Sequence, residues 1–443
     1  MTLPGRAPAR RRWLSGWPGS ALLLSLFVLA GLSFLGCLGV FGPARRTTGI
    51  VVALYVFGST GVALLGLRAC LARSFVRGAA GAAAAALVLR LGLAWVAPLD
   101  YDLQSYAIVV NAVNHGQVVY EATSRYNYGP IWFHVLSAAA RISRAAGFSP
   151  FAGFRLVTIA GDVGLGLALL AFGLAGDTRR RAVARALFFW TSPIAIATSA
   201  FQGQFDALAI AFFVAALALV RRSGPCRATF VAAAAVGAGI AIKQIVVVFL
   251  AGFLGLARRN TTRLRDAAVA AAPFALLLLP WYLVAPAAVV KNVLRYASLP
   301  GVWGWFSLVK LAGGGLPFPT AWVSYGALIL AGALAFLAVR RGDAGLDASR
   351  LAALVFLALT PGWGFQMLVW PVALAPMRRE GLPVLFYTAA GMGAYAELMK
   401  VHGASVVFLT LTWLAVLVWL ARLAPLLLRR PLPAPCGMNP HGE

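Results

Sequence analysis

The sequence predicts an all-α polytopic membrane protein: a bundle of about 12–14 transmembrane helices with a long first outer loop containing amphipathic surface helices. Three observations point to this class. Of 443 residues, 61% are hydrophobic and only 11% charged, with mean hydropathy +0.85, and soluble domains need far more polar surface. Apolar runs of roughly 20 residues, enough to cross a hydrocarbon core, recur along the whole chain. Arginines gather in short clusters between those runs, among them RAPARRR, RSFVR, DTRRRAVAR, RRSGPCR, RRNTTRLR and RRGDAGLDASR. Cytoplasmic loops collect positive charge in this way.

That distribution also interprets the net charge of +26. A nucleic-acid groove needs polar and aromatic surface between its cations. These short loops lack it, so the partner they indicate is the lipid bilayer and not nucleic acid. Cys37, Cys70, Cys226 and Cys436 are scattered, with neither metal-ligand nor disulfide-framework spacing.

Taken in order, the apolar runs place spans near 20–42, 49–70, 79–99, 152–175, 184–200, 206–220 and 228–243. Further spans fall near 245–257, 267–284, 320–339, 351–362, 366–377, 382–400 and 404–424. The first run resembles a signal peptide but exceeds the usual apolar length, so a retained span is expected. The runs at 245–257, 351–362 and 366–377 are short for a full crossing and read as half-helices or tilted segments. With the N-terminus inside, most of the 38 Lys and Arg residues fall on the cytoplasmic side. Lys243, Lys291, Lys310 and Lys400 then all lie at the outer face.

Two segments, 100–151 and 285–319, are too long for simple connections and fall outside the membrane. YAIVVNAVNHG and GPIWFHVLSAAARISRAAG, both in the first, have one apolar side each and are expected to lie on the outer membrane surface. Long ordered loops on a helical scaffold are where chemistry usually resides.

Ionisable groups inside spans cost several kcal/mol each and need a partner or a task. Arg90 and Asp162 lie about ten residues inside their spans from the outer boundary, roughly 15 Å deep, and are expected to form a structural ion pair. Asp206, beside Gln202 and Gln204, reads either as a helix N-cap or as a wall of a polar site. Lys243 closes one apolar run and opens the next, either snorkelling to headgroups or facing an anionic ligand. In DYDLQSY, Asp100 and Asp102 sit where a span ends. They read as a solvated helix start or as a working pair, one the base and the other orienting it or binding a cation.

These residues resemble the GT-C superfamily of integral-membrane glycosyltransferases, which use polyprenyl-phosphate sugars. DLQSYAIVVNAVNHGQVVYEATSRYNYGPIW is similar to that family's first outer loop, matching its pattern at Asp102, Tyr106, Gly116, Tyr120 and Tyr126 to Pro130. Gly129-Pro130 replaces the usual double proline. FRLVTIAGDVGLGLAL resembles the following span with its Asp at Asp162. The Gly-Gln-Phe-Asp motif matches Gly203 to Asp206, AIAIKQIVVVFLAGFL the lysine-bearing segment, and PGWGFQMLVWPVAL a late motif with Gln366 and Trp370. Together they cover 79–376. The division implied is 1–78 as two added helices, 79–284 as the catalytic module, 285–319 as a second outer loop and 320–443 as C-terminal helices.

The resemblance implies transfer of a hexose, mannose first among the candidates, from a polyprenyl-phosphate donor to a lipid- or glycan-linked acceptor. The site would face outward from a bacterial cytoplasmic membrane. Asp102 is then the general base and Asp100 its runner-up, with Mg or Mn an optional ligand of the two. Lys243, Lys291, Arg295 and His134 become candidates for the donor phosphate, and Tyr106, Tyr126, Tyr128, Gln204, Asp206 and Gln366 for other substrate contacts. Trp303 and Trp305 could stack on sugars or anchor in the interface. The rival reading is a transporter or flippase, which would also carry buried charges and half-helices but has no use for a long outer loop bearing an Asp. A polysaccharide polymerase or ligase would place its largest loop later in the chain.

Overall fold

The computed structural model describes residues 46–428 apart from short stretches at 72–74, 98–99, 225–228, 258–259, 297–298, 301–302, 316–318, 342, 344, 375–380 and 402–405. The expected first span at 20–42 and Cys37, Cys226 and Cys436 lie outside the described residues.

The chain is helical almost throughout. Helices α1 (Arg46–Leu71) and α2 (Phe75–Val96) pack side by side, and α2 stops just before Pro98, whose missing N–H cannot continue it. In the first long loop, α3 (Tyr101–Asn114) and α4 (Pro130–Ala145) follow. Next come α5 (Pro150–Leu174), started by Pro150 and the Ser149 side chain, which accepts from Phe151 N, and α6 (Arg179–Trp190). A bend of 51° separates α6 from the broken segment Pro193–Phe201, whose last turn, Ala197–Phe201, is a π turn. Helices α7 (Asp206–Ser223), α8 (Thr229–Ile242), α9 (Val247–Gly255) and α10 (Asn260–Val284) follow, then α11 (Gly304–Leu311), α12 (Thr320–Arg340), α13 (Leu346–Leu359), α14 (Gly381–Val401) and α15 (Val406–Leu428). The short bridge Leu299–Pro300 pairs antiparallel with Gly362–Trp363, tying the second loop to the α13 exit.

Among the described residues, six helices are long and apolar enough to cross a membrane, seven if the bent α6 pair counts as one. The fold is thus that of a polytopic membrane protein, with fewer full-length spans than the 12–14 expected. One expected span, 20–42, lies outside the described residues; elsewhere the reason is helix length, since α8 and α13 have 14 residues each, about 21 Å of helix against a core of about 30 Å. Helix α7 reaches 18 residues but includes Asp206, Arg221 and Arg222. Apolar runs that look like spans in the sequence are in part helices packed inside the bundle.

The loop helices α3 and α4 differ from expectation in the same sense. Leu103, Tyr106, Val109 and Val110 of α3, and Trp132, Phe133, Leu136 and Ala140 of α4, are buried in protein. Their apolar faces close over the bundle end instead of facing lipid. Gly161 lets α5 meet α7 closely, since a Cβ there would sit 2.9 Å from Leu208 Cβ. That contact brings the QGQFD turn against the start of α5.

Candidate functional site

At the end of the bundle where α2 and α8 finish and α5 and α7 begin, breaks in four helices bring polar groups together. The first break, after α2, is followed by Asp100 in extended conformation and by Asp102 in the first turn of α3. The second follows the π turn, where Gly203 adopts φ +69°. A side chain there would be strained and would also strike Leu103, whose Cδ2 lies 2.6 Å from the position of a Cβ. The third is the start of α7 at Asp206. The fourth is Lys243, in extended conformation between α8 and the single turn Gln244–Val246.

Asp102 is held by two amides. Gln202 Nε2 donates to its Oδ2 at 3.1 Å and Gln204 Nε2 at 2.7 Å. The orientation of each amide is set from behind. Gln204 Oε1 accepts from Lys243 Nζ at 2.9 Å, and Gln202 Oε1 lies 3.2 Å from the Tyr395 hydroxyl, whose one proton it shares with Phe365 O at 3.0 Å. An amide oxygen that accepts a hydrogen bond from an ammonium turns its NH2 to the other side. Asp102 therefore meets only donors at Oδ2, and among the described residues no group donates to its Oδ1. Burial raises the Asp102 carboxyl above the usual carboxylate range, opposed by the Gln204 bond, the Lys243 charge and the Gln202 bond.

Lys243 is itself buried and paired. Its Nζ lies 2.5 Å from Asp206 Oδ2, and it sits over the rings of Phe205 and Tyr128, 4.5 and 4.9 Å from their centroids. Asp206, fully buried, accepts a second bond at Oδ1 from Trp370 Nε1 at 2.8 Å. Asp206 is therefore not an N-cap, and its side chain makes no capping bond. Phe205 stacks on Trp132 with centroids 3.7 Å apart, and Tyr106 meets both rings edge-on. This aromatic layer forms the floor beneath the polar cluster.

Asp100 is buried as well, not solvated. Its carboxyl is pushed up to about 7 by burial and by the neighbouring Asp102 charge, against the opposing pull of the Tyr101 N–H and Arg155. A divalent cation at Asp102 would have to bind through Oδ1, because Oδ2 faces N–H groups alone. Among the described residues no three His, Cys, Asp or Glu side chains come together as a metal-binding group.

Deeper in the bundle, Arg90 Nε lies 2.8 Å from Asp162 Oδ2, both side chains being buried. Arg90 also donates to Trp190 O at 2.7 Å and stacks on the Trp190 ring, serving the carbonyl left by the break after α6. Asp162 accepts from Ser199 Oγ at 2.7 Å.

Asp102, Gln204, Asp206 and Lys243 thus share one network, with Tyr128 and Tyr106 bordering it. Other candidates do not join it. Tyr126 is buried with its hydroxyl committed, donating to Gly129 O at 2.6 Å and accepting from Phe133 N at 3.1 Å, so it shapes the loop and offers nothing to a sugar. His134 is exposed against Phe133. Lys291 and Arg295 are exposed on a segment tied to the loop by Asn292 Nδ2, which donates to Tyr120 O at 2.8 Å. Gln366 makes no hydrogen bond to the cluster; its neighbours do, Phe365 O accepting from Tyr395 and Trp370 donating to Asp206. Trp303 is fully buried and spends its Nε1 on Leu357 O, and Trp305 donates to Leu359 O.

Two members of the site were not singled out from the sequence. Tyr395 lies in an apolar helix with nothing to mark it. Arg155 had a signal, a cation five residues into an apolar run, seven before Asp162 on the same helix. In comparisons with protein-family models, curated proteins and solved structures, nothing matches this chain.

Proposed function

We propose that the chain is a membrane glycosyltransferase that moves a hexose, with mannose first among the candidates, from a polyprenyl-phosphate donor to a lipid- or glycan-linked acceptor. It would work on the extracytoplasmic face of a bacterial cytoplasmic membrane. The observation that carries this reading is the single amide shared by a held carboxylate and a buried ammonium: Gln204 donates to Asp102 and accepts from Lys243.

Transfer from such a donor needs a base for the acceptor hydroxyl and positive charge near the departing phosphate. Asp102 suits the first task, because Oδ2 is fixed by two donors while Oδ1 remains for the incoming proton. As the acceptor oxygen bonds to the anomeric carbon, its proton passes to Oδ1. The bond from that carbon to the phosphate oxygen breaks, and polyprenyl phosphate leaves. Lys243 spends two of its three N–H groups on Gln204 and Asp206, which leaves one for a phosphate oxygen. Its charge is already offset by Asp206, so Lys291 and Arg295, exposed and not joined to the cluster, stay the further candidates for the full charge of the leaving group.

The test is an assay of membranes containing the chain, given polyprenyl-phosphate mannose or glucose with labelled sugar, with and without a chelator. Label appearing in a lipid- or glycan-linked product supports the proposal, and the chelator arm reads metal dependence. Translocation of the donor across proteoliposomes without any glycosidic transfer would replace it with the transporter reading.

A further inference from the structure

We propose that Arg155 is a positioning residue that sets the register between Asp102 and the two amides that hold it; its importance to a reaction rests on the reading of Asp102 as the working carboxylate. Two helices stop at the site and leave carbonyls without donors. In α2 the residue whose N–H would reach Ala94 O is Pro98, which has none. The Pro193–Phe201 segment ends where Gly203 turns to φ +69°, so Phe201 O loses its helical partner.

A single guanidinium serves both ends. Arg155 Nη1 donates to Ala94 O at 3.0 Å and Ala97 O at 3.1 Å, while Nε donates to Phe201 O at 3.2 Å. Its charge sits at the negative ends of two helix dipoles. Just beyond one end comes Asp102, and just beyond the other come Gln202 and Gln204. Among the described residues these bonds of Arg155 all go to main-chain carbonyls, so it acts on the Asp102 carboxylate and the two amides through the backbone.

The device extends along α5. Thr158 Oγ1 lies 2.8 Å from both Ser199 O and Arg155 O, sharing its one proton between them, and Asp162 accepts from Ser199 Oγ. Positions 155, 158 and 162 lie on one helix face, so this stripe docks the whole π turn by hydrogen bonds. Asp162 repeats the link to α2 through Arg90 about 10 Å deeper. A planar guanidinium with several fixed donors can hold three carbonyls at once, whereas an ammonium is a compact point charge on a flexible stem.

The experiment uses the full chain in detergent, with the native cysteines changed to serine and Asp102→Cys with Gln204→Cys added. A short bifunctional thiosulfonate bridges the pair, and mass spectrometry of the bridged peptides measures the yield. A control pair, Ala69→Cys with Gly78→Cys, spans α1 and α2 at the far end, where the two Cβ positions lie 3.1 Å apart. With Arg155→Met we expect bridging at the site to fall at least fivefold while the control pair is unchanged, and Arg155→Lys to fall between. Should Arg155→Met lose the control bridge as well, Arg155→Lys decides on the same readout. Bridging at the parental rate with the control intact overturns the proposal. Bridging reports geometry whatever the chemistry of the site, so failure of the transferase reading would not register here. If that reading holds, Arg155→Lys also lowers kcat at least tenfold with KM unchanged.

Discussion

The Lys243–Asp206 pair gives a prediction whose size follows from its geometry. At 2.5 Å two unit charges attract by about 7 kcal/mol at an effective dielectric of about 20. Desolvating both ions takes back much of this, which is why the net worth of such pairs is small while breaking them is costly. Lys243→Met leaves Asp206 fully buried with Trp370 Nε1 as its remaining donor, and should cost about 3–5 kcal/mol. Asp206→Asn leaves the ammonium with Gln204 and two aromatic faces, a loss of about 2–4 kcal/mol. The double variant strands no charge, so its loss should fall short of the summed singles by about 2–3 kcal/mol. Reversible unfolding in mixed micelles, followed by tryptophan fluorescence, measures all three. Losses that add to within about 0.5 kcal/mol would show that the two groups do not form a coupled pair, and the orientation argument for Gln204 would go with it.

Three further outcomes are expected. Gly203→Ala should lower stability by about 1–3 kcal/mol from backbone strain alone, with more from the collision with Leu103, and Leu103→Ala should relieve only the second part. Trp370→Phe keeps the ring between Phe249 and Phe356 but removes a hydrogen bond to a buried carboxylate, costing about 1.5–3 kcal/mol. Asp100 titrates near 7 in the folded chain and near 4 when exposed, so the fold favours its protonated form. Its destabilising effect is absent below about pH 4, grows as pH rises to about 7 and is constant above. Asp100→Asn should therefore gain more melting temperature over the parent at pH 8 than at pH 4.

The class of protein and most helix positions were legible in the sequence because apolar run length and arginine placement are local signals. The cluster residues around DYD, QGQFD and Lys243 were legible as well, since charged groups at the ends of apolar runs stand out. Span length was not, because a 14-residue apolar helix inside a bundle and half of a membrane span have the same composition. Roles were harder still. Asp206 read either as a cap or as a wall of a polar site, and only the arrival of Lys243 and Trp370 from distant segments shows where its oxygens point. Tyr126 read as a substrate contact and Trp303 as a sugar platform or an interfacial anchor, yet their polar atoms are spent on Gly129 O and Leu357 O. Tyr395 gave no local sign that it orients Gln202, because that depends on how the late helix α14 docks.

The most direct measurement of the central claim is kcat for hexose transfer by purified Asp102→Asn in proteoliposomes, beside Asp100→Asn and the parent. An amide in place of the Asp102 carboxylate fits the same space but cannot take the acceptor proton, so kcat should drop about 10²–10⁴-fold while Asp100→Asn keeps most of its turnover. Asp102→Asn turning over at the parental rate, with Asp100→Asn inactive, would contradict the account and move the base two residues back, to Asp100.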